Sequence, residues 1–84
     1  MTSLTQTADI RIADVAVTDE DLTIRLMDGR TLTVPIAWFP RLLAGTSAQR
    51  RRVEIAGAGY GLHWPELDED LSAEGMLRGA RSVG

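Results

Sequence analysis

An Asp-Gly turn between two alternating apolar runs, a proline-led helical stretch followed by a capping box, and a later alternating run closed by proline predict one small α+β domain. The expected architecture is an antiparallel β-hairpin or sheet with two or three short helices. At 84 residues the chain makes a single domain. A domain this short buries only about 60% of its unfolded surface, so its core has little margin. The expected boundaries are a flexible N-terminus over residues 1–9, the domain over 10–79 and a tail over 80–84.

The elements follow in chain order. Ile10 and Ile12 share one strand parity, whereas Val15 and Val17 share the other. One flat strand cannot bury both pairs on one face, so a bulge or break is expected near Ala13-Asp14. Thr18-Asp19-Glu20-Asp21 forms the next turn. Leu22, Ile24 and Leu26 alternate with polar residues, as do Leu32, Val34 and Ile36. A two-residue loop at Asp28-Gly29 would split these apolar residues between two faces. A three-residue loop, Met27-Asp28-Gly29, sets Ile24 opposite Leu32 and Leu22 opposite Val34, with Gly29 left-handed. Pro35 suits an edge strand or a strand end.

Residues 38–44 read as a short helix, with Pro40 in its first turn and Gly45 as its stop. Thr46 and Gln49 have capping-box spacing for a second helix, closed by Arg50, Arg51 and Arg52. Val53 and Ile55 begin a strand bent by Gly57, Gly59 and Gly61. Leu62 and Trp64 then point one way and His63 the other, until Pro65 ends the strand. Ser72 caps a last helix running to Arg78, with Leu71 stapled to Met76.

Hydrophobic residues are 44% and charged residues 25%, the values of a globular chain. Cysteine is absent, which excludes a disulfide framework and thiolate chemistry. No apolar stretch approaches the roughly 20 residues of a membrane span. The first residues lack the basic and apolar regions of a signal peptide, so a cytoplasmic location is expected. The net charge of −3 argues against general affinity for nucleic acid. All nine basic residues are Arg, which makes bidentate contacts that Lys cannot.

Four features invite a chemical reading. Glu66, Asp68, Glu69, Asp70 and Glu74 lie close behind His63, the only His. A divalent-metal site from His63, Asp68 and Asp70 lacks both a calcium-loop pattern and a second His, so solvated carboxylates ahead of a helix N-terminus are the simpler expectation. His63 has no serine in a nucleophile setting near it in the sequence, so no catalytic residue is assigned. The Gly57-Ala58-Gly59-Tyr60-Gly61 run fails both nucleotide fingerprints and reads as a bulged strand or turn. Arg50-Arg51-Arg52 reads as a complement to the helix dipole, with contact to phosphate or to an acidic partner as the alternative. Of the four aromatics, one or two beside Pro40 or Pro65 could anchor a partner, and the rest belong to the core.

Asp28-Gly29-Arg30, Trp38-Phe39-Pro40-Arg41-Leu42, Arg50 and the run from Gly59 to Asp70 give the chain a resemblance to the bacterial family known as domain of unknown function 2442. The likeness extends from about Ile12 to Gly79. Ser47 departs from it, where similar sequences often have Pro, and so does Arg52-Val53. The resemblance implies a small α+β domain, and it implies a protein-binding role, because stand-alone members often sit beside another small gene in a toxin–antitoxin-like arrangement. No catalytic residue transfers.

The expected function is a non-enzymatic interaction module that binds a small partner protein encoded nearby. The expected partner-binding residues are Trp38, Phe39, Arg41, His63, Trp64, Asp68, Glu69 and Asp70. No cofactor or metal is expected. The alternatives are a ligand or metal site around His63, Tyr60 and Asp68, nucleic-acid contact through Arg50–Arg52, and self-association through the strand edge near Pro35.

Overall fold

Two three-stranded antiparallel sheets, ordered β1-β2-β3 and β4-β5-β6, share one apolar core. The structure, a computed structural model, describes residues 8–79. The expected flexible start and tail therefore fall mostly outside the described residues.

In the first sheet, β1 (Ile12–Val17) pairs with β2 (Asp21–Leu26), and β2 with β3 (Thr31–Pro35). The register moves from Ile12↔Leu26 to Asp14↔Arg25, which leaves Ala13 as the extra residue of a bulge. That one residue reverses the parity, so Ile12, Val15 and Val17 all pack on the same core. The β2–β3 hairpin has the expected register, with Ile24 opposite Leu32 and Leu22 opposite Val34. The Leu26 N–H donates to the Arg30 carbonyl at 2.8 Å, which closes the three-residue loop. Gly29 has φ +96°, where a side chain is disfavoured. Pro35 is the last residue of β3, an edge strand, where its missing donor costs no ladder bond.

The expected helix over 38–44 needs correction at its start. Residues Ile36–Trp38 form a 3-10 turn, and α1 covers Pro40–Ala44. Pro40 is its first residue and holds Phe39 extended, at φ −125° and ψ 95°. Gly45 stops the helix, though not through a left-handed conformation, since its φ is −80°. A Cβ there would lie 2.7 Å from Leu67 Cδ2, so a larger residue would have to displace the Leu67 side chain.

The capping box of α2 (Ser47–Arg51) is complete. The Gln49 N–H donates to Thr46 Oγ1 at 3.1 Å, and the Thr46 N–H donates to Gln49 Oε1 at 2.9 Å. In the second sheet, β4 (Glu54–Ala56) and β5 (Gly61–Trp64) flank a 3-10 turn at Gly57–Gly59. Strand β6 (Glu69–Ser72) was not expected. It carries a single apolar residue, Leu71, too little for a visible alternation. It leads into α3 (Ala73–Leu77), whose cap Ser72 accepts the Gly75 N–H at 2.9 Å. Leu71 and Met76 both pack on the core, as a staple requires.

Leu22, Ile24 and Leu26 from the first sheet meet Phe39 and Leu42 from the helical link and Leu62 and Trp64 from the second sheet. Each such side chain contributes about 1.5–3 kcal/mol when fully buried.

Candidate functional site

Arg50 is read from sequence as one third of a basic run, yet it is only 9% exposed. Its Nη1 donates to the carbonyls of Leu42 at 2.9 Å, Leu43 at 3.4 Å and Gly45 at 2.6 Å. It thereby adds a partner to the Leu42 carbonyl, which also accepts the Gly45 N–H, and caps the Leu43 and Gly45 carbonyls at the end of α1. Its Nη2 faces Asp19 Oδ1 at 3.4 Å, and its own carbonyl accepts the Trp64 indole N–H at 2.8 Å. Arg52 pairs with Glu66, and only Arg51 of the three is left without an ion pair among the described residues. Residues Arg50–Arg52 therefore present no continuous basic face, and the nucleic-acid alternative loses its geometric basis.

Two expected anchors are also core residues. Phe39 is 1% exposed and Trp64 0%, so neither can meet a partner in this fold. Trp38 is partly buried against the same core. In a domain this small, the large aromatics are the main means of filling the space between the two sheets.

His63, Asp68, Glu69 and Asp70 lie on the β5–β6 hairpin, and Arg41 reaches it from α1. Its turn, Pro65 to Asp68, projects from the second sheet, and Asp68 sits at φ +51°, a conformation Asp tolerates. The Asp68 side chain is 96% exposed. Arg41 of α1 donates to its carbonyl oxygen and stands 4.0 Å from Oδ2. The Trp38–Leu42 and His63–Asp70 segments, far apart in sequence, are thus brought together. His63 lies opposite Asp70, and its Nδ1 is 2.7 Å from Asp70 Oδ1. Glu69 is half-buried, and its Oε1 accepts the Asp70 N–H at 3.1 Å, which occupies a donor on an edge strand. Asp68 does not join the His63–Asp70 pair, and no group of three metal-ligating side chains occurs among the described residues.

The outer face of the second sheet carries two cross-strand rows. One is Glu54, His63 and Asp70, and the other is Ala56, Gly61 and Ser72. The small side chains of the second row leave an open depression of about 500 Å³, which Tyr60 and Asp70 also line. Tyr60 is 53% exposed, and its hydroxyl makes no hydrogen bond to the described residues. Sequence reasoning missed this feature because β6, and with it Ser72 opposite Gly61, was not foreseen.

The geometry defines a small α+β domain with a displayed acidic hairpin and an open, uncharged-to-acidic sheet face. The chain belongs to the family described as protein of unknown function (DUF2442), whose profile matches residues 12–82. A protein of unknown function from Rhodospirillum rubrum, known from its crystal structure, is similar at 33% identity with a TM-score of 0.77, covering 87% of this chain and 90% of that one. The solution NMR structure of an uncharacterized protein from Chromobacterium violaceum is similar at 25% identity with a TM-score of 0.74, covering 88% of this chain and 70% of that one. No functionally curated protein matches. No helix among the described residues is long and apolar enough to cross a membrane.

Proposed function

We propose that this chain is a non-enzymatic protein-interaction module and the acidic, antitoxin-like member of a two-protein arrangement, acting in the cytoplasm on a small basic partner encoded nearby. The observation that carries the reading is the β5–β6 hairpin, which exposes Glu66 and Asp68 in its turn and Asp70 on its outer face, where Asp70 shares a depression with the exposed Tyr60. Exposed carboxylates, Asp68 most of all at 96% exposure, steer a basic partner, and an exposed aromatic supplies contact area. With Phe39 and Trp64 in the core, the anchoring role passes to Tyr60.

The test is co-expression with the neighbouring small protein, followed by binding kinetics at low and physiological salt. Stoichiometric capture supports the reading, and absence of binding at both salts rejects it. Asp68→Asn combined with Glu74→Gln removes two exposed charges, and Asn keeps the backbone conformation that Asp68 needs. Association should slow by about three- to tenfold at low salt, with dissociation little changed. An unchanged on-rate would remove the steering role.

A further inference from the structure

We propose that the depression on the outer face of the second sheet receives an arginine side chain of the partner. This inference rests on the module reading above and specifies its contact chemistry.

The chemistry of the walls selects the occupant. Tyr60 offers an exposed aromatic ring at one side. Asp70 offers a carboxylate at the other, and one of its oxygens is held by His63 at 2.7 Å. The second oxygen has no hydrogen-bond partner among the described residues. No cationic side chain lines the space. The floor at Gly61 is bare, and a Cβ there would stand 3.0 Å from the Leu71 carbonyl oxygen. The Ser72 hydroxyl already accepts the Gly75 N–H. An exposed ring and a free carboxylate oxygen favour a cation that donates hydrogen bonds; the nearby Arg11 approaches Tyr60 outside this space and is held by Asp9. A planar guanidinium stacks on a phenol ring and reaches a carboxylate at the same time, whereas an ammonium does so less well. Charge agrees, because the net charge is −3 and Glu54 extends the same face.

The probe is Nα-acetyl-L-arginine methylamide, titrated into the 15N-labelled full chain and followed by amide chemical shifts. The neutral isostere, the corresponding citrulline derivative, serves as control. Saturable shifts centred on Gly57, Tyr60, Gly61 and Leu71 are expected with arginine and not with citrulline. Tyr60→Leu and Asp70→Asn should each weaken the response by about threefold or more. Ala56→Leu fills the depression without changing charge and should abolish it, while the dispersion of the remaining amides reports that the variant is folded. Equal responses to arginine and citrulline, or shifts spread over all carboxylates, overturn the inference. So does native-like binding of arginine by folded Ala56→Leu. If the neighbouring protein binds Tyr60→Leu and Asp70→Asn as tightly as the native chain, the arginine site fails and the module reading stands. If arginine saturates the site but the neighbouring protein never binds, the module reading fails instead.

Discussion

Arg50 shows how a residue's context reverses its meaning. Three consecutive arginines suggest a surface, yet the middle of the fold needs one guanidinium to satisfy the carbonyls of Leu42, Leu43 and Gly45. No apolar residue can do that, and removing it takes a partner from the part-buried Leu43 and Gly45 carbonyls and leaves Leu42 with the Gly45 N–H alone. Arg50→Gln should lower stability by about 2–3 kcal/mol, read as a shift in the urea midpoint at constant slope. A change comparable to that of Arg51→Gln would show that the carbonyl contacts contribute little. Trp64 depends on the same residue, because its indole donates to the Arg50 carbonyl. The motifs behind the family resemblance thus include many structural positions. Among the charged and aromatic residues they leave on the surface are Arg30, Arg41, Tyr60, Glu66, Asp68 and Asp70.

The β2–β3 hairpin illustrates what an element encodes locally. Parity alone separates a two-residue from a three-residue loop, because only the latter keeps Leu22, Ile24, Leu32 and Val34 on one face. Gly29 at φ +96° completes that loop, with open space where a Cβ would lie. Gly29→Ala should therefore cost about 1–2 kcal/mol through backbone conformation alone. Thermal denaturation will check this, and an unchanged midpoint would contradict the left-handed assignment. Gly45 and Gly61 are different, since a Cβ would crowd the Leu67 side chain at the first and the Leu71 carbonyl oxygen at the second. The β6 strand is the converse of the hairpin. Its four residues include two carboxylates and one apolar side chain, and only pairing with β5 makes them a strand.

Across the whole molecule, carboxylates fasten loops to their neighbours. The Arg11 side chain, followed by the Arg11 backbone N–H, hydrogen-bonds to Asp9 and lowers its pKa to about 2. Asp28 is lowered first by the Arg30 side chain and then by the Arg30 backbone, and the Asp9 N–H also donates to it. Asp19 is lowered first by Ser47 and then by Arg50, which ties the β1–β2 turn to α2. A depressed folded pKa means that the unfolded chain binds the proton more readily. The resulting stability is present above the ordinary value of 3.8 and is lost as pH falls through the folded value, about 2 for Asp9. Urea midpoints should decline from pH 5 toward pH 2, and Asp28→Asn together with Asp9→Asn should flatten the decline. A pH profile that these substitutions leave unchanged would show that the pairs do not contribute. Asp9 and Asp19 are exposed enough for salt to screen them, whereas Asp28 is only 11% exposed, so high ionic strength should shrink the first two contributions more than the third.

Local chemistry by itself determined the α+β class, the bulge, the hairpin register, the capping box and the Ser72 cap. Each depends on side-chain parity or on residues within one turn of each other. It also determined that Leu62 and Trp64 share a face opposite to His63. Tertiary structure alone decided that Arg50 belongs to the interior, that Phe39 and Trp64 fill the core, and that β6 is a strand. Those outcomes depend on partners distant in sequence: Leu42 with Arg50, Arg50 with Trp64, and His63 with Asp70. The depression beside Tyr60 belongs to the second group, because its floor joins Ala56, Gly61 and Ser72 only when three strands lie side by side.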